Sequence, residues 1–209
     1  MRVLVLGATG GTGREIVREA GARGHSVVAL VRSKARADGL AGAELVEGDA
    51  RDPESLSRAL DGCSGVISSL GTPASPFREV TLLSTATRAL VDAMARQDVR
   101  RLVCITGMGA GDSRGHGGFV FDRVIFPLLL RKVYADKDRQ EAIVRSSAAD
   151  WVLVRPTVLN DKPAQGSVRA LTDRSGVHGG GVARADVANF VVAQLTDDAW
   201  LRRAPLITG

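Results

Sequence analysis

The first thirteen residues constrain this chain more than any other stretch. Val3-Leu4-Val5-Leu6 is a short apolar run. Gly7-Ala8-Thr9-Gly10-Gly11-Thr12-Gly13 follows at once, and Arg14-Glu15-Ile16-Val17 opens a helical pattern. An apolar strand, a glycine turn and a helix start form the arrangement that receives a dinucleotide diphosphate. Gly7 permits the tight turn out of the strand. Gly10 leaves room for phosphates against the backbone, and Gly13 lets the helix pack close to the sheet. Unpaired N–H groups of the first helical turn then face the anion, and the helix dipole adds to the attraction. A nucleoside-triphosphate loop would end Gly-Lys-Ser/Thr; this one ends Gly13-Arg14-Glu15, which sets that rival aside. The candidate cofactor contacts here are Gly7, Thr9, Gly10, Gly11, Thr12 and Gly13.

The exit of the next strand, over 26–31, bears on which dinucleotide. An NAD-preferring protein carries an acidic side chain there for the adenosine ribose hydroxyls. This chain has Arg32-Ser33-Lys34-Ala35-Arg36. Cations with a hydroxyl suit a 2′-phosphate, which a guanidinium can bind through two parallel hydrogen bonds. Arg32 and Ser33 are therefore the expected contacts, and NADP(H) is favoured over NAD(H); a solvated basic turn is the alternative. A third strand over 44–47 exits at Gly48-Asp49-Ala50, where the Asp49 carboxylate could accept from an adenine amino group with the Ala50 N–H beside the ring. Asp49 could equally serve only to form the turn. A fourth strand over 65–69 ends in Ser69-Leu70-Gly71, small and open enough for a cofactor ribose.

The alternation continues with a helix over 76–97, a strand over 101–106 and a helical stretch over 119–147. Pro127 should kink or divide that stretch. A strand over 151–154, a helix beginning at Asp186 and a closing strand over 204–208 complete the pattern. This spacing predicts an α/β fold: a Rossmann-type doubly wound, mostly parallel sheet with helices on both faces, in one domain over 1–209. A charge of +5 with no run of five arginines implies no nucleic-acid partner. Three scattered histidines and two cysteines lack metal-ligand spacing. Cys63 and Cys104 lie in or beside apolar runs and read as reduced core residues, which points to the cytoplasm. The apolar run over 124–130 falls short of a membrane span, and the first apolar run is too short for a signal peptide. A monomer or homodimer with no membrane partner is expected, with a small-molecule electron acceptor as partner if the chain is a reductase.

A glycine-rich loop over 107–118 leaves the fifth strand where open α/β sheets place substrate. Its glycine content implies mobility, as a lid or simply as a disordered tip. A reaction pocket is expected between Thr106, Met108, this loop, Lys137 and the Arg155-Pro156-Thr157 turn. Its apolar wall would come from 119–130, including Phe119, Phe121, Val124, Ile125 and Phe126, although the same cluster could be core or a dimer face. His116 and His178, in glycine-rich surroundings, are candidate proton sources or simply solvated side chains.

Taken together, these residues resemble the atypical short-chain dehydrogenase/reductases with an NAD(P)H-binding domain, a group that includes flavin/biliverdin-IXβ-type reductases and NmrA-like redox sensors. The matching stretches are Gly7 to Gly13, Arg32, Gly48-Asp49, Thr106-Gly107, Lys137 with Glu141, Asp150-Trp151 through Arg155-Pro156, Arg184-Ala185-Asp186-Val187-Ala188 and Ile207-Thr208-Gly209. They occur in the family's order over essentially the whole chain. Where catalytic, that family uses Tyr-x-x-x-Lys and a Ser or Thr at the end of the fifth strand. The resemblance thus implies Lys137 as the lysine on the nicotinamide ribose and Thr106 as the strand-end hydroxyl, with Pro156 among the cofactor contacts. Val133 occupies the position of the tyrosine. Tyr134 is displaced from it by one residue, roughly 100° around a helix, which would turn its ring away as a proton donor. Two functions remain open. One is an NADPH-dependent oxidoreductase passing hydride to a flavin, quinone or carbonyl compound; the other is a non-catalytic NADP(H) sensor.

Overall fold

The computed structural model describes residues 1–73, 77–113, 121–166, 168–172 and 180–209, with 121, 122 and 125–127 described by backbone only. Six strands form its centre: β1 (Arg2–Leu6), β2 (Ser26–Val31), β3 (Glu44–Glu47), β4 (Gly65–Ser68), β5 (Arg101–Ile105) and β6 (Asp150–Pro156). They lie parallel in the order β3-β2-β1-β4-β5-β6. Both faces of this sheet are covered, which is why its strands read as continuous apolar runs rather than as alternating ones. Along each strand successive side chains turn to opposite faces. Val3, Val5, Val27, Ala29, Val103 and Val152 pack on one side against Ile16 and Ala20 of α1 (Gly11–Ala22) and Val187 and Val191 of α5 (Arg184–Ala193). Leu4, Leu6, Val28, Leu30, Leu102 and Leu153 face the other way, against α2 (Pro53–Leu60), α3 (Leu82–Arg96) and α4 (Arg131–Ser146).

The crossover helix α1 covers one face and α2 the other, so the winding reverses between β1 and β4. That reversal leaves a crevice at the carboxyl ends of the two strands, the place where doubly wound sheets hold ligands. Gly7 and Ser69 meet there: a Cβ on Gly7, which has φ +77°, would lie 2.5 Å from the Ser69 carbonyl oxygen.

Beyond β6 the sheet departs from the simple alternation. The closing strand β10 (Leu206–Thr208) is parallel to β6 and antiparallel to an edge strand, β8 (Arg169–Leu171). β7 (Val158–Asn160) and β9 (Gly181–Ala183) form a separate two-stranded parallel ladder. These strands are three residues long, too short to show a period.

Two helix boundaries differ from expectation. α3 starts at Leu82 rather than near residue 76, because its first turn is capped from another helix. The carboxylate of Asp136 in α4 accepts from the backbone N–H of Leu83 (2.8 Å) and Ser84 (3.3 Å) and from the Ser84 hydroxyl. The expected division of the long helical stretch falls after Pro127. Phe121–Leu130 is a wider, π-type segment, and regular α4 begins at Arg131. α5 starts at Arg184, two residues before the predicted Asp186.

Candidate functional site

Because β1 to β6 are parallel, their carboxyl ends lie along one edge and bring most of the candidate residues together. At β1, Gly7 and Gly13 are demanded by packing. A Cβ on Gly13 would lie 2.1 Å from the Gly7 carbonyl oxygen and 2.8 Å from the Ala8 Cα. Gly10 is different: a Cβ there would meet only that same carbonyl oxygen, at 3.3 Å. It caps α1 with no side-chain hydrogen bond, and the first turn contains no acidic residue. A helix N-terminus left without its own carboxylate attracts an external anion. Thr9, Gly10 and Gly11 are exposed at this turn, whereas Thr12 is buried. The residues therefore fit a dinucleotide diphosphate.

Arg14, used above only to exclude a triphosphate loop, joins this turn to the next one. Its Nε donates to the Thr9 carbonyl at 3.1 Å and its Nη1 to the Asp38 carbonyl. At the β2 exit, Arg32 is exposed, and its charge helps to hold the Asp49 carboxyl low. Ser33 opens a short 3-10 turn with its hydroxyl free of any capping bond. Asp49 itself forms an Asx turn, accepting from the Arg51 N–H at 2.8 Å and from its guanidinium at 2.6 Å. The Arg51 hydrogen bonds hold its pKa down at about 2. Ala50 is half-buried beside it, and Ser69 and Leu70 are half-buried at the β4 exit with Gly71 exposed beyond them.

Past β5 the structure corrects two expectations. Residues 107–113, the first part of the presumed lid, are tied down. The Met108 N–H donates to the Pro156 carbonyl (2.9 Å), the Gly109 N–H to Ser113 Oγ (3.0 Å) and the Gly111 N–H to Asp138 Oδ1 (2.7 Å). The later part of that loop, with His116, and the loop holding His178 lie outside the described residues, as does Phe119. The second correction concerns Tyr134. Its ring is not turned away: the hydroxyl donates to the Met108 carbonyl at 2.8 Å, and Lys137 Nζ sits 5.5 Å from the ring centre. Residues three apart on a helix are neighbours, so the one-residue displacement leaves Tyr134 on the lysine's side. Both reach Gly107, where a Cβ would be 3.3 Å from Lys137 Nζ and 3.6 Å from the tyrosine oxygen. Lys137 Nζ donates to the Thr106 carbonyl. Burial lowers its pKa to about 8 and raises that of Tyr134 to about 12.

Thr106 presents its carbonyl, not its hydroxyl, to Lys137. The hydroxyl turns inward and donates to Glu141 Oε1 at 2.8 Å. Glu141 in turn holds the wholly buried Arg155 through Nε at 2.9 Å and Nη2 at 2.5 Å, and Arg155 Nη1 reaches Asp112 at 2.6 Å. This buried chain of charges locks the β5 exit loop to β6 and was missed at the level of sequence. Its signal was there: α4 buries Asp136, Gln140 and Glu141 where an apolar stripe would be expected. Met108, Pro156 and Thr157 are buried. In the expected wall, Val124 is exposed, as are its neighbours Leu128 and Leu129. An open groove of about 670 Å³ lies elsewhere, between α2, α3 and α4; its lining includes Ser84, Arg88 and Ile143 and none of the candidate site residues, meeting this edge at Arg51, the partner of Asp49.

The profile of the NAD(P)H-binding family matches residues 7–198. The chain belongs to this family. Among curated relatives, YhfK of Bacillus subtilis (strain 168), named an uncharacterized sugar epimerase, is 29% identical over 98% of this chain and 92% of its own length. The photosystem II assembly factor Ycf39 of Synechocystis is 52% identical, but over 32% of this chain and 21% of its own. Among solved structures, ChuY, an anaerobilin reductase from Escherichia coli O157:H7, superposes with a TM-score of 0.84 at 24% identity, over 100% of this chain and 97% of that one. A short-chain dehydrogenase/reductase from Veillonella parvula in complex with NADP gives 0.81 at 16% identity, over 100% and 94%. These two share the fold. Among the described residues, no helix is long and apolar enough to cross a membrane.

Proposed function

We propose that this protein is an NADPH-dependent reductase of the atypical short-chain dehydrogenase/reductase type, acting on a small planar acceptor such as a flavin, quinone or carbonyl compound. The observation that carries the reading is the meeting of Lys137 and Tyr134 at Gly107, on the same sheet edge as the glycine turn. The structural likeness to an anaerobilin reductase supports it. Bound NADPH would supply a hydride. The chain's own work is to hold the diphosphate on the α1 N-terminus, the 2′-phosphate at Arg32 and Ser33, the adenine end by Asp49 and Ala50, and the nicotinamide ribose through Lys137. Ser69, Leu70, Gly71 and Pro156 close the crevice around the cofactor. Steady-state NADPH oxidation against a panel of flavins, quinones and aldehydes is the test. One observation favours a sensor instead: the Tyr134 hydroxyl is already donated to Met108. Tight NADPH binding without turnover of any acceptor would establish that second reading.

The 2′-phosphate assignment has its own test. Arg32→Asp should weaken NADPH binding by about 1.5–3 kcal/mol, the worth of a hydrogen bond between charged groups, with little effect on NADH. Titration of both cofactors by fluorescence reads this directly, and an unchanged preference would refute it.

Lys137 makes the activity pH-dependent in a stated direction. Its ammonium form is the hydrogen-bond donor, and with a pKa of about 8 that form is lost as pH rises through that value. Turnover should therefore fall above about pH 8. Lys137→Arg should remove this alkaline limb, because a guanidinium stays charged throughout the range. Lys137→Ala should lower turnover by about 100-fold while changing NADPH affinity only a few-fold, since nicotinamide position matters chiefly to the reaction step. Equal losses in both would leave Lys137 as a binding residue only.

A further inference from the structure

Gly11 is not needed for the turn at β1, since its φ is helical and unremarkable for any residue. Its missing side chain makes room for something else. A Cβ at Gly11 would lie 2.8 Å from Nε and 3.0 Å from Cδ of Arg184. The first residue of α5 thus lays its side chain across the first residue of α1, on the helix end that the diphosphate needs. The two helices share one packed core, with Ile16 and Ala20 buried in the same cluster as Val187 and Val191, so the placement is held from below. Arg184 Nη1 is paired with Asp161 Oδ1 at 2.7 Å. That carboxylate, just past β7, is 85% exposed, while the arginine is 27% exposed.

We propose that Arg184 clamps the diphosphate of the bound dinucleotide, and that Asp161 competes with the diphosphate for it. This rests on the chain's membership of the NAD(P)H-binding family. An exposed ion pair is weak and exchangeable. A diphosphate seated on the α1 N-terminus offers the same guanidinium charged oxygens in a two-point geometry, with the helix dipole on its side. Arg184 therefore adds a cation from the last part of the chain to a turn built by the first thirteen residues. The cost of that service is set by Asp161, an internal anion whose removal favours the cofactor. The clamp also links the diphosphate to the segment after β7. The far end of that segment is fixed to the same helix, as Asp186 accepts from the N–H groups of Gln165 (2.9 Å) and Gly166 (3.0 Å).

The test compares two probes on the full chain by fluorescence titration: NADPH, and adenosine 2′-monophosphate, which carries the adenine and the 2′-phosphate but lacks the diphosphate. Arg184→Ala should weaken NADPH about tenfold or more, as loss of a charged hydrogen bond does, and leave adenosine 2′-monophosphate unchanged. Asp161→Asn should tighten NADPH by about twofold to fivefold, the worth of an exposed pair released, with no effect on the smaller probe. In the Arg184→Ala background, Asp161→Asn should have no effect. Asp161→Asn leaving NADPH binding unchanged or weaker would overturn the proposal, even were Arg184→Ala to fold poorly. Equal weakening of both probes by Arg184→Ala would also overturn it. A wild-type chain that binds neither NADPH nor NADH would instead remove the cofactor reading on which the clamp depends.

Discussion

Gly13→Ala is expected to abolish cofactor binding and to destabilise the fold by about 3 kcal/mol, the upper end of what overpacking usually costs. The methyl group would sit 2.1 Å from the Gly7 carbonyl oxygen and 2.8 Å from the Ala8 Cα, both backbone atoms that cannot rotate away. Relief would require α1 to lift from β1 or the turn to open. Either movement breaks the Gly10 N–H bond to the Gly7 carbonyl (3.0 Å) that shapes the turn proposed to hold the diphosphate. Gly21→Ala, in the same helix, provides the contrast. Nothing lies within 4 Å of its added methyl, so it should stabilise by about 0.5–1 kcal/mol through helix propensity alone. Urea denaturation and NADPH titration of the two variants would check the pair. Gly13→Ala with full affinity would show that the turn at β1 is not the cofactor's seat.

Glu141→Ala is expected to cost about 3–5 kcal/mol, because it strands a buried guanidinium. Arg155 is wholly buried and spends two of its donors on Glu141; among the described residues Asp112, on a largely exposed side chain, would remain as its ion-pair partner. The Thr106 hydroxyl would lose its acceptor at the same time. Thr106→Val should cost only about 1 kcal/mol, one hydrogen bond's worth, since the charge pair survives it. Denaturant midpoints for the two variants would separate a network of charges from a simple strand-end contact. Equal, small losses would mean that the Glu141–Arg155 pair does not hold the β5 exit to β6. The same pair adds one more tie to the glycine-rich loop, since Arg155 Nη1 reaches Asp112 at 2.6 Å. At Gly111, with φ +55°, a Cβ would lie 2.5 Å from Arg155 Nη2 and 2.8 Å from Glu141 Oε2. Glycine there accommodates the buried guanidinium, not motion.

The parts of the fold that were legible in the amino-acid order are those whose cause is local. The runs Val3 to Leu6, Val27 to Val31 and Leu102 to Ile105 announce strands covered on both faces. The glycines at 7, 10 and 13 announce a tight turn from strand to helix, because each stands at a fixed distance from a strand end. The start of α2 is equally local: Asp52 stands directly before Pro53, and its carboxylate accepts from the Ser55 N–H at 2.9 Å. Lys137 was found through the resemblance. Its placement against the Thr106 carbonyl, with the Thr106 hydroxyl turned inward to Glu141, was seen only in the structure.

Other features had no local cause and so no local signal. The start of α3 is set by Asp136, which lies 53 positions along the chain from Leu83. Tyr134 lies with Lys137 because helix neighbours at a spacing of three share a face, a matter of geometry that a fixed four-residue pattern misreads. Arg14 and Arg184 look like ordinary surface cations, and only the packing of α1, α5 and the sheet edge brings both to the glycine turn. Sequence by itself determined the parallel α/β plan and the tight glycine turn between β1 and α1, since periodicity and backbone freedom are properties of neighbouring residues. Tertiary structure alone decided which charges are buried, which hydroxyls turn inward and which arginine lies over the start of α1, because those depend on distances between segments far apart in the chain.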